Sequence, residues 1–462
     1  MVLSFLSDRC KKKIAAHETA IAKRVAAFQH TVPSHTYTVG HVMLFVTLVL
    51  DAATSLRGAS RVMVLIMAVF HLPLATPSWF TGRLWLLRLG YYKLTRPKEQ
   101  ADDWAWIVDH TVQLGPEKCL VILGIRLSAL PARGKCLRHE DVEPITVCPV
   151  TQSNGEVVYQ QLEASGKKTG IPRAIISDHG SDLKAGVEKF CHEHSETSSI
   201  YDIKHKTAAV LKRALQEDTR WPAFTHEATQ TKNRVQQTAL AFLAPPNQRT
   251  KARYMNIEIL ITWGRKTLTF LDTHEREGAH ELPQDHLEAQ LGWLRGFREQ
   301  LQEWGELLAV IAVTESFVRT QGLYRGAQRE LKALLAPLAR LQRTKKVGAH
   351  LVAFVAGECL KVKPSERLLG SSEVIESVFG KVKRLEQDQA KSGLTSLILS
   401  VAAMVSTTTT EVIQKALATV STKQVLAWCK KTLGPSVQAK RKKALAPRRP
   451  TEQKRDQFQV AV

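Results

Sequence analysis

The sequence predicts an α/β protein: a mixed five-stranded sheet with flanking helices, a helical segment before it and a mainly helical insertion within it. Short β-rich runs alternate with helical patterns between residues 104 and 215. Residues 1–98 and 216–368 are poor in strand patterns and rich in helical ones. The chain has 462 residues, 44 % of them apolar, which is enough for several packed cores.

The N-terminal segment, 1–98, contains two apolar runs, HVMLFVTLVL and VMVLIMAVF, that predict buried helices too short to span a bilayer. In the second run, apolar residues 62, 65, 66 and 69 have helical spacing. Thr76 and Pro77 then predict an N-cap followed by proline at the first helical position. Two helices around a tight break suit a helix-turn-helix, and an ordinary helical hairpin is the alternative.

The second of these helices would carry the DNA contacts. Ser78, Thr81, Trp85 and Arg88 share one flank at about 100° per residue, which predicts a groove-facing edge. The candidate DNA-binding residues of the whole chain are Ser78, Thr81, Arg83, Arg88 and Lys383.

The sheet is predicted within residues 99–215. WAWIVDHTVQL, KCLVILGIRL and PITVCPV are three β-rich runs able to form a meander. EVVYQQLEASGKKTG predicts a helix that ends at Gly170. Residues 171–176 predict the fourth strand, SDLKAGVEKFCHEH a helix, SSIYDIKHK the fifth strand and TAAVLKRALQ a further helix.

Helices dominate the predictions after the sheet. Residues 216–368 form the insertion, in which MNIEILITWGRKTLTFL suits either a helix or a strand. Residues 369–433 supply C-terminal helices of the core, beginning with SSEVIESVFGKVKRLEQ. The basic segment 434–462 lacks a core pattern and is predicted to be disordered, with the capacity to wrap a nucleic-acid backbone.

The charge balance predicts a polyanionic partner. There are 65 Lys and Arg against 43 Asp and Glu, for a net charge of +22. This charge is spread along the chain, which favours nucleic acid over an anionic membrane. Charges follow only a short apolar stretch in MVLSFLSDRCKKK, the reverse of a secretory signal, and the seven cysteines form no C-x-x-C pair. We therefore expect a cytoplasmic protein.

Two carboxylates fall at predicted strand ends, Asp109 after the first strand and Asp178 after the fourth. Acids at the carboxyl edge of a sheet are well placed for catalysis, although Asp178 also suits an N-cap. A third acid from a later helix would complete a site for two Mg²⁺ ions, which need shared oxygen ligands.

VDHT at Asp109, ISDHGSDL at Asp178, SSEVIESVFGKVK at Glu376 and the N-terminal helix pair together resemble DDE transposases of bacterial insertion sequences. The resemblance implies an RNase H-like fold whose first and fourth strands are neighbours. It implies two Mg²⁺ or Mn²⁺ ions held by Asp109, Asp178 and Glu376, and cleavage and joining of terminal-repeat and target DNA. It also implies a dimer or larger assembly on DNA at the bacterial nucleoid. A gap of 198 positions between Asp178 and Glu376 departs from many members and indicates a long insertion.

Two acids compete for the third position, Glu373 and Glu376. The apolar stripe of their helix is Ile375, Val378, Phe379 and Val382. At about 100° per residue Glu373 falls nearly opposite this stripe, whereas Glu376 lies on its flank with Ser372 and Lys383. Glu376 is therefore the predicted ligand, and Lys383 would lie near the same DNA backbone.

Three further residues are candidate accessory groups: His179, Asp202 and His205. Asp202 and His205 form D-x-x-H at the end of the fifth strand, where they suit accessory ligands or DNA contacts, and Asp202 equally suits a helix cap. His179 could touch the scissile phosphate.

Other functions are also compatible with parts of the sequence. Another RNase H-like nuclease would use the same acids, and a catalytically inactive or domesticated transposase-derived DNA-binding protein would keep only the DNA contacts. A metabolic hydrolase is disfavoured, because the sequence has neither G-x-S-x-G nor a P-loop and because +22 would be unexplained.

Overall fold

A computed structural model describes most of the chain. The described residues are 30–71, 75–112, 117–247, 257–277, 284–387, 395–435 and 437–446, with scattered positions between 15 and 29. The first helices whose bounds the described residues give are α1 Val39–Leu50, α2 Leu56–Val69 and α3 Trp79–Thr95. The sheet region follows as β1 Trp104–Val112, β2 Lys118–Arg126, β3 Glu143–Val150, α4 Gly155–Thr169, β4 Ala174–Ser177, α5 Ser181–Glu193, β5 Ser198–Tyr201 and α6 Ile203–Gln216.

The remaining described elements are helices. Those of the predicted insertion are α7 Trp221–Val235, α8 Ile257–Glu277, α9 Gln284–Leu291, α10 Arg298–Gln321, α11 Ala327–Leu335 and α12 Gln342–Cys359. Those after it are α13 Glu373–Gln387, α14 Ser400–Met404, α15 Thr410–Thr419, α16 Thr422–Leu433 and α17 Val437–Ala444. The segment MNIEILITWGRKTLTFL, for which helix and strand were both open, contributes the start of α8 from Ile257 onward. No helix in the described ranges is long and apolar enough to cross a membrane.

The five strands form one mixed sheet in the order β3-β2-β1-β4-β5. The pairs β1–β2 and β2–β3 are antiparallel, whereas β1–β4 and β4–β5 are parallel. A three-stranded meander extended by two parallel strands, with helices on both faces, is the RNase H-like arrangement, and it confirms the predicted fold class. The first and fourth strands are neighbours, with Ile107 opposite Ile176.

Side chains of β1 alternate between two cores, as the period of two requires. Trp104, Trp106 and Val108 pack on the face covered by α4 and α5. Ala105 and Ile107 face the second and larger core, where α13 packs against β1. Asp109 therefore continues the face that carries α13.

Helix α3 is covered along its second half. It packs against α14, α15 and β3, and in the predicted DNA-facing flank Trp85 and Arg88 are buried, whereas Thr81 is half-buried and Ser78 is exposed. Gly90 allows this approach: a Cβ there would lie 2.0 Å from the carbonyl oxygen of Leu399. The predicted groove-facing flank is therefore corrected at Trp85 and Arg88, which duplex DNA does not reach, and the helix-turn-helix assignment of α2 and α3 stays a prediction.

Two buried cations on α3 bind the carboxyl ends of later helices. Arg88 donates to the carbonyls of Leu417 and Val420, at 2.6 and 2.7 Å, where α15 ends. Lys93 is fully buried, and its Nζ donates to the carbonyls of Ala403, Val405 and Ser406, at the carboxyl end of α14. Carbonyls at a helix carboxyl end carry partial negative charge, so they stabilise a cation that has no carboxylate partner of its own.

Several local predictions are corrected. In α2 the buried residues are Leu56, Ala59, Met63 and Met67, whereas Leu65 and Val69 are 62 % and 68 % exposed. The helix is apolar on most sides, so spacing alone did not select the buried face.

Two element ends also differ from the sequence prediction. Ser78, not Thr76, caps α3, because its hydroxyl accepts from the N–H of Thr81. β5 ends at Tyr201, because Asp202 caps α6 and draws the predicted strand residues IKHK into that helix. Part of the tail predicted to be disordered, 437–444, is helix α17, and residues 447–462 lie outside the described ranges.

Candidate active site

Three aspartates lie in a row at the carboxyl edge of the parallel strands. Ile107, Ile176 and Ile200 are register partners on β1, β4 and β5, and all three belong to the same core. Two residues after each isoleucine come Asp109, Asp178 and Asp202, respectively. Because side chains alternate along a strand, the three carboxylates continue the face on which α13 packs.

Asp109 has a strongly raised pKa and interacts with the charges of its neighbours in this row. Burial raises its pKa to about 7, and the nearby carboxylates of Asp178 and Glu376 add to the rise. The backbone N–H of His110, 2.6 Å from Oδ1, and the imidazole of His205 act in the opposite direction. The raised pKa of Asp109 therefore reflects its burial first and the neighbouring carboxylates second.

Asp178 follows β4 in a tight turn. The N–H of Gly180 donates to its Oδ1 at 2.8 Å. His179, between them, has φ of 57°, in the left-handed region that non-glycine residues seldom occupy. Its ring stacks on Tyr201 with centroids 4.4 Å apart, and its Nε2 lies 3.4 Å from Oγ of Ser199. The strained residue is thus held between the ends of β4 and β5, a combination common at functional sites.

Glu376, in the first turn of α13, reaches the start of α6. Nζ of Lys204 lies 2.6 Å from Oε2, and Nε2 of His205 lies 3.3 Å from Oε1. Burial favours the neutral acid, but the contacts with His205 and Lys204 outweigh it, so the pKa of Glu376 lies below its usual value. Oε1 is buried and accepts no well-aligned hydrogen bond, so the His205 contact is an ion pair without hydrogen-bond geometry.

Glu373, the competing acid, pairs elsewhere. Both of its carboxylate oxygens accept from Nη1 of Arg319, at 2.9 and 3.2 Å. The apolar stripe Ile375, Val378, Phe379 and Val382 is buried, as the sequence predicts. Of the two acids, it is Glu376 that interacts electrostatically with Asp109.

Asp202 connects three elements. It is fully buried, and its carboxylate accepts from the backbone N–H groups of Ser372 at 2.7 Å and His205 at 3.0 Å. Its own N–H donates to the carbonyl of Ser177, at the end of β4. Asp202 therefore caps α6 and also fixes the residue before α13, which sets the height of Glu376 above the sheet edge.

A possible metal-binding group exists at this point. One ligand atom each from Asp202, His205 and Glu376 lie within 4.8 Å of one another. Among the described residues this is the set of three that meets such a criterion, so Asp109, Asp178 and Glu376 are not drawn together as tightly. Both oxygens of Asp202 already accept backbone N–H groups, and both oxygens of Glu376 contact Lys204 or His205, so a metal ion would have to displace existing contacts.

Lys204 is a site residue that the sequence analysis missed. It lies inside the D-x-x-H segment, and its half-buried ammonium contacts Glu376. A second missed group lies on the opposite face of the sheet, next to Asp109. There Asp182 accepts from Lys118 at 2.8 Å and lies 3.8 Å from Nδ1 of His110. Burial opposes ionisation, but hydrogen bonds from Lys118 and a serine lower the pKa of Asp182 to about 2.

The candidate DNA-binding residues are dispersed. The hydroxyl groups of Ser78 and Thr81 form a hydrogen bond, 3.0 Å long, at the start of α3. Arg83 donates to Oγ of Ser396. Arg88 is in the interior, where duplex DNA does not reach, which corrects its assignment as a DNA contact. Lys383 is exposed on α13, on the same helix as Glu376.

Comparison with known proteins adds a distant likeness. No family model and no curated protein matches the sequence. The chain is similar in structure to one in the Drosophila P element transposase strand transfer complex, with a TM-score of 0.40 and 12 % identity. The superposition covers 84 % of this chain and 97 % of that one.

Proposed function

We propose that this protein is a metal-dependent transposase of the DDE type, which cleaves and joins DNA strands. The observation that carries the proposal is the placement of Asp109 and Asp178 on neighbouring parallel strands, on the sheet face that α13 covers with Glu376. Carboxylates from β1, from the turn directly after β4 and from a helix would supply the oxygen ligands that phosphoryl-transfer metal sites use.

The donor set fits Mg²⁺ or Mn²⁺. Oxygen atoms are the ligands these hard cations prefer. Asp109 carries a raised pKa beside Asp178, and Oε1 of Glu376 is buried without a hydrogen bond, so added positive charge would stabilise both groups. Two ions bound here would activate a water or a 3′-hydroxyl and stabilise the leaving oxygen.

The protein's own residues would then act on geometry and charge. Asp202 holds α13 at the sheet edge through the N–H of Ser372, so Glu376 stays opposite the aspartates. Lys204 and His205 contact Glu376 in this structure. If the carboxylate of Glu376 bound a metal ion instead, the ammonium of Lys204 would be free to bind a phosphate oxygen of the DNA strand, as ammonium groups commonly do.

The partners follow from the charge and the chemistry. A net charge of +22 favours a phosphate backbone, and Lys383 extends the exposed basic surface of α13. In this proposal the substrates are the terminal repeats of a bacterial insertion sequence and its target DNA, acted on at the nucleoid. Joining two ends to one target requires at least two copies of the chain.

One observation favours a second function. The carboxylate of Glu376 already contacts basic side chains through both oxygens, the ammonium of Lys204 and the imidazole of His205, so the third acid has partners without a metal. A protein that kept this pairing on DNA would be a transposase-derived DNA-binding protein without catalysis.

Product analysis separates the candidates. Purified protein is incubated with Mg²⁺ or Mn²⁺ and a plasmid carrying the DNA that flanks its coding sequence. Cleaved ends joined to new positions support a transposase, and cleavage without joining indicates another RNase H-like nuclease. Binding with neither product, in wild type and Glu376→Gln alike, overturns the catalytic proposal.

A further inference from the structure

A cleft of about 350 Å³ lies beside the catalytic helix. Its walls are the loop 136–139, the end of α10 and the start of α13. This volume is near the lower end for small-ligand sites. The cleft is therefore large enough for one nucleotide and too small for a duplex.

The lining combines cations with an apolar wall. Arg138 is exposed, and its ion pair is with the equally exposed Glu140, so its guanidinium is available to a ligand. Leu137 and Leu369 provide apolar surface. The one carboxylate that lines the cleft, Glu373, is neutralised by Arg319 through both of its oxygens.

A second cation, Lys381, contacts the cleft residue His139. Nε2 of His139 lies 3.2 Å from Oγ of Ser377, and Nδ1 lies 3.3 Å from Nζ of Lys381. Burial lowers the pKa of His139, and the neighbouring Lys381 lowers it further. The imidazole is therefore neutral beside the ammonium of Lys381. The site therefore presents positive charge at its rim and apolar surface within.

The cleft adjoins the proposed catalytic carboxylate. Glu373 and Ser377 line it from α13 and are one turn apart, with Glu376 between them in sequence. At about 100° per residue, Glu376 is displaced from Glu373 by about 60° around the helix. Glu376 and the cleft therefore lie on adjacent flanks of the first turn of α13.

We propose that this cleft binds a single unpaired nucleotide of the DNA strand, with the base against Leu137 and Leu369 and a phosphate at Arg138. The inference rests on the proposed function, because it takes DNA as the substrate. A paired base would not enter, so the site would favour DNA with an unpaired end.

Disulfide trapping tests the placement, because Cys136 is exposed and lines the cleft. The probe is a duplex with a one-nucleotide 3′ overhang whose base carries a tether that ends in a mixed disulfide, mixed with full-length protein in EDTA; the Cys136 thiolate attacks this disulfide and releases its small thiol. We expect an adduct that Cys136→Ser abolishes and that falls at least about tenfold when the tethered base is paired, since tenfold corresponds to 1.4 kcal/mol. Equal trapping in Cys136→Ser, or with the paired base, overturns the inference.

Affinity measurements provide a second, independent readout. Arg138→Gln should weaken binding of the overhang duplex about fivefold to tenfold, and that of a blunt duplex less than twofold, since one charge-assisted contact is lost. Lys135→Gln is the matched control, because Lys135 is exposed on the same loop but does not line the cleft. Equal effects of the two variants refute the site. Failure of the wild type to bind either DNA refutes the proposed function instead.

Discussion

Replacing Lys93 by methionine tests how α3 is held in the fold. Nζ of Lys93 donates to the carbonyls of Ala403, Val405 and Ser406 and to Oγ1 of Thr408, at 2.7 to 3.2 Å. Methionine keeps the length of the side chain but has no donor. The oxygens that follow α14 would lose their shared partner in the protein interior.

Two opposing effects set the magnitude. A buried acceptor left without its donor costs about 1–3 kcal/mol. Methionine also removes the desolvation of a buried ammonium, which offsets part of that loss. We expect a net decrease of about 2–3 kcal/mol in the free energy of unfolding. Lys345→Met is the control, because Lys345 is exposed on α12 and its loss should stay within about 0.5 kcal/mol.

The pH dependence carries a definite sign. Burial, then the neighbouring Arg96, lowers the pKa of Lys93 from 10.5 to about 7. Between these values the unfolded chain binds the proton more tightly, so wild-type stability rises with pH across this window. The difference between wild type and Lys93→Met, measured by urea unfolding, should therefore be larger at pH 9 than at pH 6. A difference below about 0.5 kcal/mol at both pH values would refute the role given to Lys93.

Two further predictions concern the same packing. Gly90→Ala places a Cβ 2.0 Å from the carbonyl oxygen of Leu399 and should lower stability by about 1–3 kcal/mol. In the control Gly357→Ala the new Cβ has no atom within 4 Å, and stability should rise by about 0.5–1 kcal/mol. Thermal melts check the pair, and equal shifts would contradict the close approach. The isolated piece 1–98 exposes the surface around Arg88 and Gly90 that α14 and α15 cover, so it should show no cooperative circular-dichroism melt, and a sharp transition would show that it is an independent domain.

The sequence was sufficient where local patterns decide the structure. A β-rich run identified β1 and a continuous apolar run identified β4, and the turn residues after β4 located Asp178 at a strand end. Helical spacing separated Glu376 from Glu373, because the apolar stripe of α13 left them at different angles from the core. These features depend on residues close in sequence, so a single chain reveals them.

The errors arose where partners lie far away in sequence. Arg88 and Lys93 are cationic residues of a kind usually found at the surface. Their acceptors lie more than 300 residues later, at the ends of α14 and α15, and no local pattern announces them. Asp202 shows the same limit in milder form. Its N-cap role was one of two alternatives, but the N–H of Ser372 that it also binds comes from 170 positions away.

The central claim is that Asp178 holds a metal ion for DNA strand cleavage, and the cleavage rate of Asp178→Asn at saturating Mg²⁺ tests it most directly. The amide preserves shape but weakens the ligand, so the rate should fall about a thousandfold or more, equivalent to about 4 kcal/mol of barrier. DNA affinity should be unchanged, and the exposed control Asp285→Asn should cleave at the wild-type rate. A rate for Asp178→Asn within about threefold of wild type, where threefold is under 1 kcal/mol, would contradict the account.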